Sequence, residues 1–212
     1  MYNDITGIIL SGGKSKRMGV NKSLLMIENK TIIEIVCNIM SNLFSELLLI
    51  TNEPELYKFL RLKTFKDIFP GKGPLAGIHS GLVHSKTQKN FILSCDMPLI
   101  TVDMINTIIN FKKDSFITVA KANGYIQQLC GVYDECCLQE TEKLLEESLS
   151  NENRNAQQGK RGCKVLQLIK EVDADIFDAE ALPFYNKDLF FNMNTMDDFA
   201  YVKKKLLNKS DG

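Results

Sequence analysis

The sequence carries no surplus of charge: Lys plus Arg and Asp plus Glu both number 26 in 212 residues. Without a global field there is nothing to draw in a nucleic-acid duplex or an anionic membrane, so positive charge, where it acts, acts locally. There is no run of about 18 apolar residues and no secretory leader, which predicts a soluble, cytoplasmic chain with reduced thiols. The six cysteines (Cys37, Cys95, Cys130, Cys136, Cys137 and Cys163) show no C-x-x-C pair and no zinc-type spacing. Cys136 and Cys137 are adjacent, an awkward geometry for a mutual disulfide, and each cysteine reads as a small buried hydrophobe. Of the two histidines, His79 and His84 stand five apart, not the four that would align them for a metal, and both are expected on a helix surface.

What is present alternates. "TGIILS" (6–11), "ELLLIT" (46–51), "FKDI" (65–68) and "NFILSCD" (90–96) read as strands. Between them, "TIIEIVCNIMSNLF" (31–44) has a helical apolar period, "PELYKFL" (54–60) is a short helix opened by its proline, and "PLAGIHSGLVHS" (74–85) is helical despite two glycines. "TVDMINTIINF" (101–111) follows, with Thr101 as its N-cap. Such alternation with short connections predicts an α/β fold, a mostly parallel sheet with helices on both faces. Ligands of such sheets sit beyond the carboxyl ends of the strands, where Ser11, Asn52, Asp67 and Asp96 all fall.

The second half is less regular, with mixed strands expected at 115–121, 127–134, 173–180 and 189–194. Helices are expected at 139–149, over "KVLQLIK", and from Thr195 and Asp198 onward, a capping-box-like start. The segment 150–162 is polar and reads as a loop, with Lys160 and Arg161 solvated or, alternatively, meeting an acceptor's phosphate. Met18, Met26, Met40 and Met97 are expected in the core or the cleft. No repeat or linker-like shift divides the chain, so one domain is expected.

The chemistry gathers after the first strand. "ILSGGKSKRMGVNKSLL" (9–25) breaks at Gly12 and Gly13 and then places Lys14, Lys16, Arg17 and Lys22 before any acid, the first being Glu28. Paired glycines let backbone N–H groups approach an anion with no Cβ in the way, and four cations can neutralise most of a triphosphate. The register is wrong for a Walker loop, so this is a phosphate loop of another sort. "GKGPLA" (71–76) formally fits a dinucleotide fingerprint, but a proline sits in the turn and it is not in the first βα unit; it reads as a turn into a helix. Asp96 leaves an apolar strand just before Met97-Pro98, where a carboxylate can hold Mg²⁺ by one oxygen while phosphates and water complete the shell. A passive phosphate clamp needs cations but no such acid; the pairing points to in-line attack at phosphorus.

Taken together, "LSGGKSKRMGVNK", "FKDIFPGKGPLAGIHSGL", "FILSCDMPLI" and "FFNMNTMDDF" resemble the molybdenum cofactor guanylyltransferases, within the glycosyltransferase-A-like nucleotidyltransferases. The resemblance runs in order from residue 6 to about 202. It implies transfer of GMP from GTP to molybdenum-molybdopterin with release of pyrophosphate, Mg²⁺ as cofactor, and transient contact with molybdenum-insertion or molybdoenzyme proteins. It implies a nucleotide-binding half, 1–112, and an acceptor-binding half, 113–212. It also implies that the backbone of Leu10, Ser11 and Gly12 contacts the nucleotide, with Gly13 continuing the turn. Arg17 and Lys22 would hold the triphosphate, Asn52 and Asp67 the nucleoside side, and Asp96 the metal and nucleotide. Asn192 and Asn194 would close the acceptor side. The chain departs from the family at Ser11, where Ala is usual, at Asn21, where Asp usually precedes the lysine, and at Gln128, where Pro usually follows Gln127. Competing readings are a sister enzyme using CTP or another phosphorylated acceptor, a nicotinamide-dependent oxidoreductase built on "GKGPLA", and a non-catalytic nucleotide-binding protein.

Overall fold

Strand and helix alternate as the pattern predicts in a computed structural model that describes residues 1–12, 21–111, 114–152 and 164–210. β1 (Tyr2–Leu10) is buried without interruption from Ile5 onward, as a strand covered on both faces must be. A two-stranded hairpin unforeseen in the sequence, β2 (Met26–Ile27) with β3 (Lys30–Thr31), leads into α1 (Ile32–Ser41). That helix starts at a reciprocal cap: the Glu34 N–H donates to Thr31 Oγ1, and the Glu34 carboxylate accepts from the Thr31 N–H at 2.7 Å. β4 (Phe44–Ile50), a 3₁₀ helix (Pro54–Leu60) and β5 (Lys63–Phe65) follow, then α2 (Pro74–His84), β6 (Lys89–Ser94) and α3 (Val102–Asn110). The remainder is β7 (Ile117–Ala122), β8 (Tyr125–Asp134), α4 (Leu138–Glu152), α5 (Lys164–Glu171), β9 (Ala174–Asp178) and α6 (Met196–Ser210).

One seven-stranded sheet runs β5-β4-β1-β6-β8-β7-β9. Its first four strands are parallel, β8 is antiparallel to both neighbours, and β9 is parallel to β7. On one face Val36, Met40, Met104 and Ile108 of α1 and α3 pack on Phe91 and Leu93. On the other, Ile78, Leu82, Leu144 and Leu168 of α2, α4 and α5 pack on Ile8 and Ile92. The expected α/β class therefore stands, with the mixed strands in the second half. Gly81 explains why α2 tolerates its glycines: a Cβ there would come within 2.8 Å of Ile8 Cγ2, so the missing side chain lets the helix lie close on β1. Among the described residues no helix is long and apolar enough to cross a membrane.

Several expectations are corrected. Residues 189–194 form the end of a turn and an irregular segment, not a strand. Leu189, Phe190 and Met193 are buried, but the Met193 N–H donates to the Asp96 carbonyl and no ladder forms; a short apolar run packs equally well without strand pairing. His79 is not on the surface: it is 3% exposed, meets the edge of Phe69, and its Nδ1 has no hydrogen-bond partner among the described residues. Burial holds its imidazole below the ordinary value. Met26 and Cys136 are exposed, whereas Met40, Met97, Cys37, Cys95, Cys130 and Cys137 are buried as expected. The third strand is Lys63–Phe65, which leaves Asp67 beyond its end. "GKGPLA" is a turn into α2, with Gly71 and Gly73 at positive φ and Pro74 as the first helical residue. Gly13, Lys14, Lys16, Arg17, Met18, Lys160, Arg161 and Cys163 lie outside the described residues, as does most of the segment 150–162, whose first residues complete α4.

Candidate active site

Leu10 and Ser94 are register partners at the carboxyl ends of β1 and β6, so whatever follows them must meet at one edge of the sheet. The Cys95 N–H extends the pairing by donating to the Leu10 carbonyl at 3.0 Å, and Asp96 is the next residue. From the other side, Lys22 opens a 3₁₀ turn (Lys22–Leu24) capped by the Asn21 side chain. Its ammonium Nζ reaches Asp96 Oδ2 at 2.7 Å and Asn194 Oδ1 at 3.1 Å. Lys22, the last cation of the basic segment, therefore closes directly on the strand-end carboxylate. Both side chains are about four-fifths buried (20% and 17% exposed), so the pair is less screened than a surface ion pair.

The Asp96 carboxylate is held at both oxygens, since Ser94 Oγ donates to Oδ1 at 2.6 Å. Ser94 was not singled out in the sequence; its signal was the two-residue spacing from Asp96. Asn194 joins through Lys22, and its segment is docked by the Met193-to-Asp96 backbone bond at 2.9 Å. Asn192 donates locally to the Phe190 carbonyl and makes no described contact with Asp96 or Lys22. Gly12 is exposed, and among the described residues a Cβ built there would meet nothing within 4 Å.

Asn52 and Asp67 form a second group. The Asn52 amide donates to Asp67 Oδ2 at 2.7 Å, and the Asp67 N–H donates back to Asn52 Oδ1. Burial pushes the Asp67 carboxyl above its ordinary value, and the Asn52 hydrogen bond works against that shift. With strands in the order β5-β4-β1-β6, two inter-strand spacings for Asn52 and three for Asp67 place this pair roughly 10–14 Å along the sheet edge from Asp96. The edge thus offers a polar pair at one end and a cation–carboxylate pair at the other, with the Ser11–Gly12 backbone between.

Sequence reasoning missed Tyr57, which is 2% exposed. Ser11 Oγ and Asn21 Nδ2 both donate to its hydroxyl, at 2.9 and 3.0 Å, and Ser23 Oγ lies 2.8 Å away. A buried aromatic in a short helix gives no sequence sign of such a role. Cys95 is excluded as a nucleophile, because burial and then the Asp96 charge push its thiol up to about 11 and keep it protonated at neutral pH.

Asp96 supplies one carboxylate, and no group of three His, Cys, Asp or Glu side chains that could hold a metal occurs among the described residues. That donor set fits Mg²⁺, which takes one or two protein carboxylates and completes its shell with phosphates and water, and does not fit zinc.

The profile described as a MobA-like NTP transferase domain matches residues 7–161. A probable molybdenum cofactor guanylyltransferase of Clostridium perfringens is 35% identical over 204 residues, covering 93% of this chain and 95% of its own. One of Carboxydothermus hydrogenoformans with the same description is 34% identical over 203 residues, 95% of this chain and 96% of its own. The crystal structure of molybdopterin-guanine dinucleotide biosynthesis protein A from Archaeoglobus fulgidus superposes with a TM-score of 0.76 at 22% identity, covering 96% of this chain and 99% of that one, and shares the fold.

Proposed function

The chain belongs to the MobA-like NTP transferase family and is a nucleotidyltransferase of the molybdenum cofactor guanylyltransferase kind; on that footing we propose that it transfers GMP from GTP to molybdenum-molybdopterin. The observation that carries the reading is the 2.7 Å pair between Lys22, at the far end of the basic glycine segment, and Asp96, at the end of β6. In the absence of substrate each neutralises the other. A triphosphate entering between them gives Lys22 a phosphate oxygen in place of the carboxylate and frees Asp96 for a cation.

An oxygen of the acceptor's terminal phosphate attacks the α-phosphorus of GTP, and the bond from that phosphorus to the bridging oxygen breaks. The electron pair leaves with pyrophosphate. The attacking phosphate is already ionised, so no general base is required, and positioning with charge neutralisation suffices. Mg²⁺, when bound, would offset the charge on the reacting phosphates. Ser94 and Lys22 orient the Asp96 carboxylate that would hold it. Asn52 and Asp67 take the nucleoside side, the Leu10, Ser11 and Gly12 backbone contacts the nucleotide, and Asn192 and Asn194 take the acceptor side. Gly13 and Arg17 are assigned to the turn and the triphosphate from their place in the sequence.

The test is pyrophosphate release from GTP with and without molybdenum-loaded pterin, beside the melting temperature with each NTP and Mg²⁺. Release that requires both GTP and pterin, with GTP alone protecting, is expected. Protection by CTP instead would make this a sister enzyme, and tight NADH binding without GTP binding would overturn the reading.

A further inference from the structure

Three hydrogen bonds converge on one phenol, and the residues that make them flank the basic segment in sequence. Ser11 is the last described buried residue before its first cation, Lys14; Asn21 and Ser23 stand on either side of its last, Lys22. The proton directions are fixed by the surroundings. Asn21 Oδ1 accepts from the Ser23 N–H at 3.2 Å, as the cap of the 3₁₀ turn, so its amide nitrogen faces Tyr57. Ser23 Oγ gives its proton to the same Asn21 oxygen at 2.8 Å, so the Tyr57 hydroxyl donates to Ser23 and accepts from Ser11 and Asn21. Every position on the phenol oxygen is filled, one donor and two acceptors. Bonds of 2.9 and 3.0 Å to a common atom hold Ser11 Oγ and Asn21 Nδ2 within about 6 Å of each other.

We propose that Tyr57 is the positioning residue of the phosphate-binding segment, its hydroxyl tying the residue that enters the segment, Ser11, to those that leave it, Asn21 and Ser23. This rests on the reading that the segment holds the triphosphate of GTP. The Ser11 hydroxyl turns inward to Tyr57 and is not presented to the base. An aspartate at 21 has no proton to donate, so the phenol would turn its own proton to the carboxylate and its bond to Ser23 would be lost. Tyr57 touches neither Lys22 nor Asp96 by any described hydrogen bond; it acts by fixing the ends from which the Ser11–Gly12 backbone and Lys22 reach the phosphates.

The test uses Tyr57→Phe, which keeps the ring and its volume, and Asn21→Asp. With acceptor saturating, Tyr57→Phe is expected to raise the KM for GTP about five- to tenfold, as loss of these bonds implies, while kcat and the acceptor KM stay within about twofold. Asn21→Asp moves the same way, and the double variant is no worse than Tyr57→Phe alone, because both act on one group. Amide exchange in the substrate-free protein, faster in Tyr57→Phe at Gly12 and Lys22–Leu25 and unchanged in β8, reads the tie without GTP. Equal losses in kcat and both KM values, or unchanged exchange at both ends, overturn the inference. Faster exchange at those ends in a protein that does not bind GTP leaves the tie standing and removes the nucleotide reading instead.

Discussion

Asp96→Ala is expected to lower GTP-dependent pyrophosphate release by about 10²- to 10³-fold while leaving the fold intact, the size of loss seen when one preorganised charge-stabilising group is removed. Three observations set that size. Asp96 gives the sheet edge its carboxylate, both of its oxygens are already hydrogen-bonded into place, and the lysine facing it is the one that closes the basic segment. Alanine removes the oxygen available to Mg²⁺ and the partner that holds Lys22 in place before the triphosphate enters. The change sits past the end of β6 and removes no core contact, so the melting temperature is expected to move by only about 2–4 °C. Asp96→Asn separates the two effects: it keeps the shape but not the charge, and is expected to lose activity nearly as fully as alanine. Measurable turnover near the native rate in either variant would mean that the reaction is centred elsewhere. A non-catalytic nucleotide-binding protein would show no turnover to lose.

Gly131→Ala is expected to be the most costly small substitution in the sheet. Gly131 lies on β8 between β6 and β7, opposite Ile92 on one side and Val119 on the other. A Cβ there would sit 2.5 Å from Val119 Cγ1 and 2.6 Å from the Thr118 carbonyl oxygen. A side-chain methyl can turn away, but a ladder carbonyl cannot without breaking strand pairing. The next part of β8 is irregular, the two-residue step Val119–Lys121 facing the five-residue step Ile126–Gly131. Side chains bridge the irregularity: the Tyr133 hydroxyl donates to the Gln128 carbonyl at 2.6 Å, and the buried Gln127 amide donates across to the Ala122 carbonyl of β7 at 3.0 Å. A shift at Gly131 is therefore passed to a segment whose pairing with β7 is already out of regular register. Overpacking of this kind costs about 3 kcal/mol, and in a domain of this size that lowers the melting temperature by roughly 6–12 °C. A variant melting within about 1 °C of the native protein would show that the strand yields there freely.

The parallel half was legible because its strands are buried on both faces and its helices have clear starts: Thr101 caps α3 and Thr195 with Asp198 opens α6 as the spacing predicts. The strand-end rule then placed Asp96, Asn52 and Asp67 without any structure. The direct side-chain contacts could not be read. That Lys22 reaches Asp96 depends on a fold that brings positions 74 residues apart to 2.7 Å, and that Asn52 spends its amide on Asp67 is a local choice among several. The 189–194 segment misled because burial alone does not distinguish a strand from a packed irregular segment, and only the partner backbone decides. His79 misled for a different reason: its helix is buried on nearly every side under α4 and α5, so the helical period carried no information about which face meets water. Tyr57 was invisible because its role lies in one oxygen atom on an otherwise ordinary core ring.

A crystal structure of the protein with GTP and Mg²⁺ tests the central claim most directly. The account predicts a triphosphate lying between Lys22 and Asp96, with the 2.7 Å ion pair opened and the Lys22 ammonium moved onto a phosphate oxygen. A triphosphate bound away from the ends of β1 and β6, with Lys22 still on Asp96, would contradict it.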